Sequence, residues 1–289
     1  MEKPTADGAW ITAAVEEIVA TSPENTLHLP TGERAFDVPL VGFSNGADPI
    51  FRQYVDHIGD FYLTPLAIFK KAFPHETKLD PAELTVISWV LPSMARVREE
   101  QAAAVKRPSE RWIMLRHYGE LFNESLRRSL VNRLSAAGVQ AVAPVLAAFW
   151  SHFDAGPYAP CSNWSERHAA YAAGLGTFGL CDGLITAVGK AMRTGSVVAR
   201  TTIDPTTRSY TDPHAYCLFY SQGSCGKCIP RCPVKAISES GHDKQVCMRY
   251  TLQKMKEYTL DTYGFAVSAC GICQAGVPCT ACIPQTDAG

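Results

Sequence analysis

The stretch 225-CGKCIPRCPVKAI-237 contains three cysteines, separated by two and then by three residues, with a proline directly after the third. The chain has 11 cysteines, nine of which follow residue 216, and the first 160 residues contain none. In a reducing compartment such dense clustering favours metal binding over disulfide bonds.

The spacing from Cys225 is that of the last three cysteines in the bacterial ferredoxin motif C-x2-C-x2-C-x3-C-P, whose fourth cysteine binds the other cluster. The position that would hold the first cysteine is occupied by Gln222. Cys217, eight residues before Cys225, is the candidate replacement, and the segment between them forms a longer loop.

A second group of cysteines, Cys270-x2-Cys273-x5-Cys279-x2-Cys282, follows nearer the end of the chain, and Cys247 stands between the two groups. In two-cluster ferredoxins, three cysteines of one motif bind one cluster and the fourth binds the other cluster. By this analogy the sequence predicts two [4Fe-4S] clusters. The expected ligands are Cys217, Cys225, Cys228 and Cys279 for cluster 1, and Cys232, Cys247, Cys270 and Cys273 for cluster 2.

Two alternatives stay open for the cysteines. Cys282 competes with Cys279 for the last ligand position, and Cys279 is favoured because a proline precedes it. Zinc also binds C-x2-C pairs, but zinc ribbons do not need C-x3-C-P followed by Ala-Ile, which favours iron. Cys161 and Cys181 are expected to be buried thiols rather than ligands.

Composition places few limits on partners. The chain has 289 residues, 46% hydrophobic and 19% charged, with a formal net charge of -1. Nucleic-acid binding is therefore not expected, although a local basic patch that binds tRNA stays an alternative. No apolar run is long enough to span a membrane and no secretory signal is recognised, so we expect a cytoplasmic protein.

The periodicity of the first two thirds predicts alternating helices and strands. We expect a helix over residues 8–21, a buried strand from Leu84, a helix between Ser109 and Gly138, and strands over 139–147, 184–186 and 195–203. Asn163 is expected to cap the helix that contains Glu166, as in a capping box. The last two strands are expected to form a pair joined by a turn, in which Lys190 and Arg193 lie and are expected to be solvated.

The motifs between residues 155 and 282 resemble those of the epoxyqueuosine reductases and the reductive dehalogenases. They comprise Glu166-Arg167, Gly174-Leu175-Gly176, Gly179, Gly195-Ser196, Thr202, Asp204 and the cysteine array, including Cys247-Met-Arg-Tyr250 and Cys270-Gly-Ile-Cys273-Gln274.

The resemblance implies an α+β protein: a layered α/β domain of nitroreductase-like, corrinoid-binding type, followed by a ferredoxin-like double-cluster domain. The expected organisation is an N-terminal α/β region (1–90), a cobalamin-binding domain (91–205) and a cluster domain (206–289). Base-off cobalamin would be reduced by the two clusters, with Arg167, Gly174, Leu175, Gly176, Gly195 and Ser196 as the corrinoid-binding residues.

The sequence departs from that family at two positions. Leu180-Cys181 stands where the family has Lys-Asn, and Pro160 stands where the reductases have a catalytic Asp, so Asp154 is the candidate acid. These departures indicate a relative with a different small-molecule or nucleoside substrate. The expected electron donor is a low-potential ferredoxin or flavodoxin. The alternative is an electron-transfer or corrinoid-activating protein with no organic substrate of its own.

Overall fold

The computed structural model describes residues 6–154 and 158–285. The helices of this part of the chain are α1 (Gly8–Thr21), α2 (Ile50–Ile58), α3 (Pro65–Ala72), α4 (Ala95–Ala103), α5 (Glu110–Ala136), α6 (Glu166–Ala172), α7 (Leu218–Gln222), α8 (Cys228–Arg231), α9 (Lys244–Arg249) and α10 (Met255–Tyr263). The strands are β1 (Leu40–Asn45), β2 (Leu84–Pro92), β3 (Ala141–Val142), β4 (His152–Phe153), β5 (Cys161–Ser162), β6 (Gly176–Phe178), β7 (Leu184–Thr186), β8 (Met192–Arg200), β9 (Ile237–Ser238) and β10 (Gly241–His242).

The main sheet has four strands in the order β1-β2-β8-β3, and every neighbouring pair is antiparallel. Strand β2 pairs with β8 along its whole length, from Leu84 opposite Arg200 to Pro92 opposite Met192. All nine residues of β2 are buried. A strand covered on both faces needs apolar residues at successive positions rather than alternating ones, which explains its sequence LTVISWVLP.

The two faces of the sheet belong to separate hydrophobic cores. Ile87, Trp89 and Leu91 of β2 pack in a core that also contains buried residues of α1 and α5. Val86 and Val90 pack in a second core with residues of α2, α3 and α6. The layered α+β organisation predicted from the sequence is therefore confirmed at the level of fold class.

The predicted domain boundary at residue 90 falls within β2, and the first two predicted domains contribute strands to the same sheet. The elements predicted best are α1, β2 and α5. Ser109 caps α5 by accepting a hydrogen bond from the Trp112 amide, and Gly138 follows the helix with φ of 87°.

Three local predictions were wrong. Only Ala141–Val142 of the expected strand over 139–147 pairs, because Pro144–Leu146 forms a 3-10 helix. Strand β7 pairs with β6 in a separate two-stranded sheet rather than with β8. The N-cap of α6 is Ser165, since the Asn163 side chain instead bonds the backbone of Phe149.

Beyond residue 205 the chain consists of short helices, loops and the β9–β10 pair. A third, smaller core joins this part to the β6–β7 pair, and its buried members are Leu180, Cys181, Ile185, Cys217, Cys228, Ile237 and Val277. No helix in the described residues is long and apolar enough to cross a membrane.

Candidate functional site

Four cysteines from separate segments line one small cavity. They are Cys217, Cys225, Cys228 and Cys279. Cys217 directly precedes α7, and this helix ends at Gly223 in the left-handed conformation, with φ of 63°. That turn brings the longer loop back so that Cys225 faces the same cavity as Cys217.

A second set of four cysteines lines part of a much larger cavity of about 510 Å³. They are Cys232, Cys247, Cys270 and Cys273. Gly271 turns the chain between the last two with φ of 60°, and a Cβ at this position would lie 2.3 Å from the Trp112 ring. Burial, together with the neighbouring Cys247 and Cys232, raises the pKa of Cys270 to about 11. A bound cation would therefore be needed to keep this sulfur as a thiolate.

Cys282 lies apart from both sets. Its side chain is exposed and bonds the carbonyl of Pro278, whereas Cys279 lines the small cavity. Within residues 6–154 and 158–285, no three His, Cys, Asp or Glu side chains converge closely enough to hold one metal ion.

Cys181 and Lys190 lie between the two cysteine sets. The Lys190 ammonium is 3.3 Å from the Cys181 sulfur, and Cys181 also hydrogen-bonds Cys228 and Cys273, one cysteine from each set. Lys190 is 3% exposed, so the prediction that it is solvated was wrong. Burial lowers its pKa, but the thiolate charge of Cys181, Cys279 and their neighbours outweighs burial and raises it.

His242 and Asp182 border the second set. Asp182 lies 2.9 Å from the His242 ring, and Cys247 also hydrogen-bonds this histidine. Burial lowers the pKa of His242, but the hydrogen bonds and negative charge of Asp182 and Cys247 outweigh burial and raise the pKa to about 10. A protonated imidazole therefore faces one cysteine of the second set.

The wall of the large cavity opposite the cysteines carries a buried ion-pair network. Arg127 contacts Glu166 and Glu120 at 3.2 Å each, and Ser196 donates a hydrogen bond to Glu166. Burial raises the pKa of Glu166, and Arg127 opposes that rise. The prediction that Arg193 is solvated was also wrong, because its side chain lines the cavity and its Nη2 is buried with no hydrogen-bond partner among the described residues.

The network joins residues of α5, α6 and β8. Sequence reasoning did not identify it, because a helix carrying many arginines and glutamates is more often a solvated helix with local ion pairs. The one available signal was the Glu166-Arg167 motif, from which only Arg167 was selected.

Of the six residues assigned to corrinoid binding, only Arg167 lines the large cavity. Its exposed side chain donates to the Asp182 carbonyl. Ser196 is fully buried behind Glu166, and Leu175 is buried in the second core.

The three glycines of that assignment are explained by packing within the chain. A Cβ on Gly174 would meet the Thr207 carbonyl at 3.0 Å, and one on Gly176 would meet the Ile185 carbonyl at 2.3 Å. A Cβ on Gly195 would lie 2.4 Å from the Trp89 ring. Asp154, the candidate acid, is exposed beside β4 and does not line this cavity.

Comparisons with known proteins bear on the fold alone. No family model matches the sequence, and no curated protein matches it. The structure is similar to the catabolic reductive dehalogenase NpRdhA, with a TM-score of 0.52 and 15% identity over 83% of this chain and 30% of that chain.

A second dehalogenase structure, described as suggesting a mechanism for B12-dependent dehalogenation, has the same TM-score and identity over 86% of this chain and 30% of that one. This chain thus spans about 30% of the length of these dehalogenases. An epoxyqueuosine reductase from Bacillus subtilis matches with a TM-score of 0.42 and 15% identity, over 93% of this chain and 66% of that chain, which is too distant to support an argument. The resemblance noted in the sequence is confirmed as a similarity of fold.

Proposed function

We propose that this protein is an iron–sulfur oxidoreductase that binds two [4Fe-4S] clusters and reduces a ligand in the large cavity. The observation that carries this proposal is the grouping of the eight predicted ligands as four around each of two cavities, with Cys181 as a fifth cysteine in the lining of the larger one. When bound, the clusters supply one-electron transfer. Cys217, Cys225, Cys228 and Cys279 would hold cluster 1, and Cys232, Cys247, Cys270 and Cys273 would hold cluster 2.

The residues of the large cavity favour a small ligand that carries negative charge. The arginines Arg116, Arg127 and Arg193 face two carboxylates, Glu120 and Glu166, so positive charge is in excess on this wall. Arg193, whose buried Nη2 has no hydrogen-bond partner among the described residues, would turn its guanidinium towards the cavity to donate to an oxyanion. Trp150, which is partly exposed, adds an aromatic ring to the same lining.

The residues that line this cavity give little support to the predicted binding of a complete cobalamin. The volume of about 510 Å³ lies in the range of pockets for drug-sized ligands, and the cysteine side of it is assigned to cluster 2. Five of the six residues expected to contact a corrinoid lie outside the lining. The acceptor we propose is therefore a smaller molecule, and base-off cobalamin remains a candidate only through the similarity of fold.

Anaerobic reconstitution tests the cluster assignment. We expect about eight iron and eight sulfide ions per chain, a brown colour and the electron paramagnetic resonance signal of reduced [4Fe-4S] clusters. Cys217→Ser should lower the iron content to about half, whereas the matched control Cys282→Ser should leave it unchanged. A colourless protein that contains zinc would contradict the proposal.

Electrons are proposed to enter from a low-potential ferredoxin or flavodoxin near cluster 1. The segment 221–224, at the end of α7 and beside the small cavity, is exposed and offers a docking surface. A cytoplasmic location is proposed because reduced thiols and clusters persist there. The formal net charge of -1 favours a small-molecule substrate over tRNA.

One observation favours a second candidate, an electron-transfer or corrinoid-activating protein without its own organic substrate. The carboxylates that line the large cavity, Glu120 and Glu166, are both ion-paired with arginines. No carboxyl group in the described lining is thus left without an arginine partner to protonate a substrate. Adding hydroxocobalamin to the reconstituted protein separates the candidates, because tight binding with a base-off spectrum but no turnover of halides or epoxides would favour this second function.

A further inference from the structure

Lys190 stands between the two candidate cluster sites. Among the described residues it is the one side chain that lines both the small cavity and the large cavity. It is 3% exposed, and its Nζ lies 3.3 Å from the Cys181 sulfur. No Asp or Glu in the described part of the chain pairs with it.

The backbone fixes this position. The amide of Lys190 donates to the carbonyl of Cys279 at 3.0 Å, and the amide of Ala191 donates to that of Thr280 at 3.2 Å. Gly189 has φ of 79°, and a Cβ there would lie 2.2 Å from the Thr280 carbonyl oxygen. The turn that carries Lys190 is therefore packed directly against a segment that contributes a cluster cysteine.

A lone ammonium group is costly to bury unless negative charge surrounds it. The negative charge available to Lys190 comes from sulfur, since its electrostatic partners are Cys181, Cys279, Cys228 and Cys273. Two of these, Cys228 and Cys279, belong to the set for cluster 1, and Cys273 belongs to the set for cluster 2. Anionic clusters on both sides would account for a buried lysine at this place.

We propose that Lys190, held by Cys181, sets the reduction potentials of both clusters and acts more strongly on cluster 1. A cluster gains negative charge on reduction, so a fixed positive charge beside it stabilises the reduced form and raises the potential. Cys181, which interacts with Cys228 of one set and Cys273 of the other, holds the ammonium between the two sets. This inference rests on the proposed binding of two clusters.

The test is a redox titration of the reconstituted full chain under argon, followed by electron paramagnetic resonance, for the wild type and Lys190→Met. At a fixed applied potential we expect the ratio of reduced to oxidised cluster 1 to fall about tenfold, which equals about 59 mV for a one-electron couple. The fall for cluster 2 should be smaller. Lys190→Arg keeps the charge and should stay within about threefold of the wild type.

Lys227→Met is the matched control. Lys227 lies between Cys225 and Cys228 in the sequence, but it is exposed, so solvent and salt screen its charge. Its removal should change the ratio by less than about threefold. Unchanged potentials in Lys190→Met with full iron content would overturn the inference, as would an equal effect of Lys227→Met.

Iron content separates this inference from the proposed function. A wild-type protein that assembles no clusters contradicts the proposed function itself. If Lys190→Met and Lys190→Gln both lose iron while Lys190→Arg keeps it, a need for charge between the sites is supported. Loss of iron in all three variants contradicts a role for the charge.

Discussion

The sheet region, residues 6–203, and the cysteine region, residues 205–285, are stabilised in different ways. The sheet region has two large hydrophobic cores, one on each face of the four-stranded sheet. The cysteine region has only the small third core, and only four of the seven buried members of that core, Cys217, Cys228, Ile237 and Val277, belong to it. One region thus folds around apolar side chains, whereas the other has few of them and, under the proposed function, depends on the clusters that its cysteines would bind.

Removing iron should give the largest contrast between the two regions. Because metal binding contributes folding energy where the apolar core is small, we expect backbone amides of residues 217–283 to exchange on the order of a hundredfold faster after chelation. Amides of β2 and β8 should keep their protection. Hydrogen exchange followed by mass spectrometry measures both, and equal loss in the two regions would show that they unfold as one unit.

Trp89→Ala should reverse that contrast by weakening the sheet region. The Trp89 ring is fully buried against Gly195, and its Nε1 donates to Asn123 at 2.9 Å. Truncating a buried tryptophan leaves a cavity and an unpaired amide, which should lower the free energy of unfolding by about 4 kcal/mol. Urea unfolding followed by far-ultraviolet circular dichroism measures this loss, and iron content should not change at low urea.

Arg127→Met tests the ion-pair network of the cavity wall. Arg127 is buried, and its removal leaves Glu166 without its charged partner in a buried site. We expect a loss of about 3 kcal/mol in the free energy of unfolding. Arg128→Met on the exposed side of α5 is the control and should cost less than about 0.5 kcal/mol. Equal stability of the two variants would argue against a role for the network.

The smallest expected effect concerns Glu33 and its dependence on pH. The hydrogen bond from Arg111 holds the pKa of Glu33 at about 2, below its ordinary value of 4.5. A lowered pKa in the folded state stabilises the protein above pH 4.5, and that contribution disappears as the pH falls towards 2. Glu33→Gln should therefore cost about 1 kcal/mol at pH 7, since the pair lies near the surface. The difference from wild type should vanish near pH 2, and a constant difference across that range would contradict this assignment.

Much of the sheet region could be predicted from short stretches of sequence. Strand β2 reads as a buried strand because nine successive residues suit burial on both sides, and α5 begins where Ser109 can cap it. The order of the strands could not be predicted, because the paired residues of β2 and β8 are at least 100 positions apart and their pairing depends on both cores. Asn163 stands where a helix N-cap is expected from the sequence, but its side chain instead donates a hydrogen bond to the backbone carbonyl of Phe149.

In the cysteine region, spacing alone predicted two groups of four cysteines, because C-x2-C pairs and C-x3-C-P are constrained within a few residues of chain. The prediction that Lys190 is solvated was wrong because a lysine in a glycine-flanked turn is usually exposed, and nothing nearby in the sequence indicates burial. Only the packing of that turn against Thr280 places its charge between the two cysteine sets. Likewise, Arg127 and Glu166 pair across 39 residues. The sequence by itself determined which atoms could bind metal. The tertiary structure decided which charges surround these atoms, because the energy of an electrostatic interaction depends on the distance between the charges in space and not on their separation along the chain.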